Sequence, residues 1–142
     1  MLSSVASCFT AQIIKLITNL LQKRKFDFGI LVQTGGMPSS HSAMVTSLAT
    51  GVALVEGLYS TQFALALCFA LIVMYDATGV RRSVGIQATI LNQIISEFNN
   101  DNPELKMQRI KELLGHTPFE VLAGCCLGAL MGFTFWSLGL IH

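Results

Sequence analysis

Two of the three histidines in this 142-residue chain stand in runs that suit phosphate chemistry. His41 closes the run Gly35-Gly36-Met37-Pro38-Ser39-Ser40-His41. Its glycines permit a tight backbone path, Pro38 pre-sets a first helical turn, and the N–H groups at a helix start lack partners within the helix. With Gly36, Ser39 and Ser40 around them, those N–H groups would cradle an anion beside an imidazole able to give up a proton. The same run also reads as a capped helix start with an incidental histidine. His116 leads into Thr117-Pro118-Phe119-Glu120, which reads as an N-cap, a proline at N1 and the glutamate of a capping box. Glu120 reads there as the N3 partner of Thr117. Asp76, Arg81 and Arg82 add charge between the two runs, and Lys15 stands alone in the first apolar stretch. The arginines suit either phosphate oxygens or headgroup anchoring, Asp76 suits an ion pair with Arg81 or His116, and Lys15 suits either a ligand role or snorkelling.

The elements that must position these groups follow from where charge is missing. Hydrophobic residues make up 52% and charged residues 12%, about half the roughly 25% charged share of a soluble domain. Phe28 to Val55, Gly57 to Tyr75 and Val121 to Ile141 contain no Asp, Glu, Lys or Arg, and Leu2 to Leu21 contains only Lys15. A bilayer core of about 30 Å takes roughly 20 apolar residues as a helix. The expected fold is therefore all-α: one domain over residues 1–142, a bundle of about four spans with one or two amphipathic helices at one membrane face. The helices are expected at about Ser3–Gln22, Ser39–Leu58, Thr61–Thr78 with Gly79 ending it, Val84–Phe98, Pro103–Leu114 after a polar break at Asn99–Asn102, and Thr117–Leu140. Val5-Ala6-Ser7-Cys8 has the shape of a lipoprotein cleavage box but lacks a preceding basic or apolar region, so it is assigned to the first helix. Cys8, Cys68, Cys125 and Cys126 have no metal-type spacing and are expected to be buried free thiols.

A net charge of +1 excludes a bulk positive field for nucleic acid. Alternating spans gather eight of the nine basic residues, all but Lys15, on one side. The positive-inside rule makes that side cytoplasmic, or its equivalent in an organelle. His41, Asp76, Arg81, Arg82, His116 and Glu120 then meet at that same face from three helix ends, and ionisable residues so placed default to function.

These residues resemble a known family. Pro38-Ser39-Ser40-His41 looks like the Pro-Ser-Gly-His motif of the type-2 phosphatidic acid phosphatase and vanadium haloperoxidase superfamily, and His116 to Gly124 looks like its His-x-x-x-Asp-Val-x-x-Gly segment. With Tyr75 to Arg82 and Gly115 to Pro118 included, the chain is similar to the small divergent branch of that superfamily from about Gln12 to Gly132. The resemblance implies His116 as the nucleophile that forms a phosphohistidine, His41 as the acid that protonates the leaving alkoxide, Glu120 as the carboxylate orienting His116, and Ser39 as a phosphate ligand. It departs from the larger enzymes where their arginine six residues before the nucleophile is Ile110 here, so that Arg81 or Arg82 must substitute. Their paired Lys and Arg seven apart become Lys15 and Gln22, Ser40 replaces a glycine, and Glu120 replaces an aspartate.

Three function classes follow. The first is a membrane phosphatase acting on a lipid phosphate or diphosphate at the cytoplasmic headgroup level, needing no cofactor and inhibited by vanadate. The second is a metal-dependent hydrolase with His41, Asp76, His116 and Glu120 as ligands. The third is a non-catalytic membrane protein that keeps an anion pocket. The expected location is a bacterial inner membrane or an equivalent organelle membrane. The bilayer and a lipid phosphate are the expected partners, and a second protomer could complete the cationic set as a homodimer.

Overall fold

The computed structural model describes residues 1–23, 36–101, 108–110 and 115–141, and among these the only regular elements are helices. They are α1 (Leu2–Lys23), α2 (Ser40–Glu56), α3 (Thr61–Thr78), α4 (Val80–Asp101) and α5 (Pro118–Ser137). Helix α2 is the centre of the bundle and packs against α1, α3 and α5.

Small residues four apart explain that packing. Ser3, Ser7, Ala11 and Lys15 on α1, Ala43, Ser47 and Gly51 on α2, and Gly124, Gly128 and Gly132 on α5 each form one stripe, and all ten are buried. In lipid, helices gain little by hiding apolar area from one another, so they associate through close backbone approach and interhelical hydrogen bonds. A Cβ at Gly124 would overlap the Ser39 carbonyl, one at Gly128 the Ala43 carbonyl, and one at Gly132 would stand 2.9 Å from Thr50 Cβ. Ser7 Oγ crosses from α1 to donate to the Ala43 carbonyl at 3.0 Å. Among the described residues the largest fully buried side chains are serines, whereas Phe9, Leu65, Ile72 and Leu130 face outward. That inversion is what a lipid solvent selects.

The contacts also fix direction. Along α5, Glu120, Gly124, Gly128 and Gly132 meet Ser39, Ser42, Ala43 to Ser47 and Thr50 in order, so α2 and α5 run parallel. Helix α1 is antiparallel to both, with Ser3 beside Gly51 and Lys15 beside Gly36. Helix α3 returns from the turn at Gly57, where φ is +87°, and Ser60 Oγ caps it by accepting from the Phe63 N–H at 3.2 Å.

Three helical runs are long and apolar enough to cross a membrane: Leu2–Leu21, Thr61–Asn100, which takes in α3 and α4, and Pro118–Ser137. Helix α2, expected from Ser39 to Leu58, is shorter. Its 17 residues reach about 25 Å at 1.5 Å per residue, and it carries the hydroxyls of Ser42, Thr46, Ser47 and Thr50. Neighbours on three sides keep those hydroxyls from lipid.

Four other expectations need correction. Pro38 precedes the N-cap Ser39 rather than occupying the first turn. Gly79 ends α3 as expected, but at φ −98° it donates to Tyr75 and accepts from Ser83, so the ladder resumes at once in α4. Helix α4 therefore begins at Val80 and runs through the expected break, with Asn99 and Asn100 in its last turn, where carbonyls without helical partners tolerate polar residues. The cysteines are free, but Cys68 and Cys126 are exposed and Cys8 and Cys125 half-buried. Of the helix expected at Pro103–Leu114, residues 108–110 are not helical and the rest lies outside the described residues. Gly35 and the basic residues Arg24, Lys25, Lys106 and Lys111 lie outside them as well.

Candidate active site

The parallel course of α2 and α5 brings two helix N-termini to one end of the bundle, each contributing partial positive charge. They are joined directly, because the Ser39 N–H donates to the Glu120 carbonyl at 3.0 Å. Gly124 permits this approach. Ser39 is fully buried, and its Oγ accepts from Ser42 Oγ at 3.0 Å and from the Ser42 N–H at 3.4 Å. Its hydroxyl therefore serves as the α2 cap. Ser40 is buried in the first turn, while His41, one residue further, is exposed.

At the start of α5 the expected capping box is complete, with the Thr117 N–H donating to Glu120 Oε2 at 3.0 Å and the Glu120 N–H to Thr117 Oγ1 at 3.4 Å. The same Oε2 lies 3.0 Å from His116 Nδ1. One carboxylate thus performs both roles. When that nitrogen carries the proton, His116 Nε2 holds the lone pair. His116 is only 4% exposed. Its N–H donates to the Ala77 carbonyl at 3.1 Å, and Gly115 lies so close to the Arg81–Arg82 backbone that a Cβ would overlap the Arg82 amide. The imidazole is therefore held by α5 at its ring and by the α3–α4 junction at its backbone.

That junction supplies the arginines. Arg81 Nε bonds Asp76 Oδ2 at 2.7 Å, with both side chains partly exposed, which assigns Asp76 to Arg81 rather than to His116. Arg81, His116 and Lys15 all act electrostatically on His41. Arg82 is exposed and supplies backbone to Gly115. Lys15 is 4% exposed, its methylenes run 3.4 to 3.6 Å from the position of a Cβ on Gly36, and its charge is felt by Glu120 as well as by His41. Gly36 itself has φ +86°, a backbone conformation that favours glycine. The structure thus gathers Lys15, Gly36, Ser39, Ser40, His41, Arg81, His116 and Glu120 at one end, with Asp76 and Arg82 at its edge.

Sequence reasoning missed Ser42, which braces Ser39, and the packing role of Gly115. The three-residue step from an N-cap serine to the next serine could have revealed the first; nothing local reveals the second. As a metal centre the donors fit poorly. Asp76 is engaged by Arg81 and Glu120 by His116 and Thr117, and among the described residues no three His, Cys, Asp or Glu side chains gather as a ligand set.

A helical membrane protein whose two parallel helix starts present histidines to a cationic polar site is the class that this fold and site define. The chain belongs to the Divergent PAP2 family, whose family model matches residues 1–131. It is 48% identical over 141 residues to the uncharacterized membrane protein YuiD of Bacillus subtilis (strain 168), covering 92% of this chain and 89% of that one. No solved structure matches it.

Proposed function

We propose that the protein is a membrane-embedded phosphatase that hydrolyses a lipid phosphate or diphosphate through a phosphohistidine intermediate. The observation that carries this reading is the Ser39–Glu120 tie, which sets the α2 and α5 N-termini, and with them His41 and His116, side by side at one end of the bundle. Two positive helix ends and two cationic side chains suit a phosphoryl group with charge on three oxygens.

In the first step His116 Nε2 attacks phosphorus while the bond to the leaving oxygen breaks, and His41 donates a proton to that oxygen. Glu120 holds the proton on Nδ1 and offsets the positive charge that develops on the ring. In the second step water attacks phosphorus, neutral His41 accepts the water proton, and the N–P bond breaks to restore His116. The Arg81 guanidinium and Lys15 ammonium offset charge on the phosphoryl oxygens throughout. The near-complete burial of His116 limits access of bulk water to the nucleophile before substrate binds.

The active-site face is cytoplasmic in this reading, which rests on the share of Lys and Arg in the sequence segments that alternating spans put on that side. No resident cofactor is required, and nucleic acid has no place in it. A homodimer remains the proposal for supplying any further cationic ligand. The test is turnover of phosphatidic acid or a long-chain isoprenyl diphosphate in detergent micelles. Vanadate, which mimics five-coordinate phosphorus, should inhibit it and chelators should leave it unchanged. Loss of turnover in a chelator, restored by a divalent metal, would transfer the assignment to a metal hydrolase. Vanadate binding without turnover would leave an anion-binding membrane protein.

A further inference from the structure

The His116 segment is held at a place outside the reacting groups. Asn92, 5% exposed, lies on the buried stripe Gly85, Ala88 and Asn92 of α4. Its Nδ2 donates to the Ile110 carbonyl at 2.8 Å, and its Oδ1 accepts from the Ile110 N–H at 2.8 Å. A side-chain amide thereby closes a two-bond ring with one residue's backbone, as a neighbouring peptide would. Both amide atoms are used in the orientation they require, so Asp, Leu and Ala each lose at least one bond. Ile110 precedes Gly115 by five residues, and Gly115 rests on the Arg81–Arg82 backbone at the start of the same α4. Helix α4 packs against no described helix except α3. Among the described residues, its grip on the segment leading to His116 is thus made at two places along its length, Asn92 and the Arg81–Arg82 backbone.

We infer that Asn92 is a positioning residue for His116: it registers the segment before the histidine against α4 and so fixes where the imidazole stands relative to His41 and Arg81. The catalytic half of this inference rests on the phosphatase reading above. The positional half does not. Misplacing a nucleophile by about 1 Å can cost on the order of 100-fold in rate.

The experiment compares wild type with Asn92→Leu, which keeps the shape but neither bond, and Asn92→Asp, which keeps the acceptor and loses the donor. Amide hydrogen exchange by NMR in detergent reads the His116 N–H bonded to Ala77, with the α2 amides as a reference for global stability. The expected result is at least tenfold faster exchange at His116 in both variants, with α2 unchanged. In protein that turns over phosphatidic acid, kcat should fall roughly 10- to 100-fold with KM within about threefold. Unchanged His116 exchange, or equal acceleration across α2, overturns the positional claim. Wild-type kcat in Asn92→Leu overturns the catalytic one. A wild-type protein without turnover refutes the phosphatase reading, and the exchange result then decides the positional claim alone.

Discussion

Arg81 and Arg82 are neighbours in sequence with different work to do. Arg81 pairs with Asp76 and acts on His41, while Arg82 lends its backbone to Gly115. Arg81→Ala should therefore lower kcat/KM by roughly 100- to 1,000-fold, the usual loss for one donor to a charged transition state. Arg82→Ala, which leaves the backbone in place, should stay within about fivefold, as expected for an exposed charge. Parallel assays of both purified variants check this, and equal mild losses would return the pair to headgroup anchoring. His41 makes a different kind of prediction. If it protonates the leaving oxygen, His41→Ala should slow release of an alkoxide by about 100-fold or more and that of nitrophenolate far less, because an activated leaving group needs no proton. Comparison of phosphatidic acid with nitrophenyl phosphate measures the difference.

Among the elements, α2 and α5 matter most, because their parallel contact creates the site. Gly128 lies so close to the Ala43 carbonyl that any Cβ must push the helices apart. Gly128→Ala should lower stability by about 1 to 3 kcal/mol, the range for overpacking a filled interior, and reduce activity without touching a reacting group. Thermal unfolding in detergent and turnover at a permissive temperature measure the two effects separately. The starts of these helices were legible in sequence, since Ser39 and the Thr117–Glu120 box are local capping chemistry, and so was α3 from Thr61 to Thr78. The length of α2 and the continuation of α4 through Asn99 and Asn100 were not. Apolar runs show which segments avoid water but not which helix is surrounded by others. The small-residue stripes carry that information, and they also explain Lys15. It falls four residues after Ala11 on the buried stripe of α1 and therefore points inward, where hydropathy alone made it an interruption.

At the scale of the whole molecule, one end of the bundle gathers Lys15, Asp76, Arg81 and Glu120, and the other closes on the turn at Gly57 with Glu56 beside it. The site was legible as a set of helix ends because alternating directions bring His41, Asp76, Arg81 and His116 to one face. The hold of Ala77 on His116 and of Gly115 on Arg82 was not legible, since backbone contacts across 33 to 39 residues leave no local pattern. Topology can be checked with single cysteines on a cysteine-free background. Met37→Cys and Arg109→Cys should be labelled from the cytoplasmic side and Leu58→Cys from the other. Labelling of Met37→Cys and Arg109→Cys from opposite sides would separate the elements that the site requires. The most direct test of the central claim is rapid-quench phosphoenzyme trapping with phosphatidic acid labelled in its phosphate. The account predicts label on His116, acid-labile and alkali-stable as a phosphoramidate should be, and absent from His116→Ala together with turnover. Turnover with no label on the protein, or with label retained in His116→Ala, would contradict it.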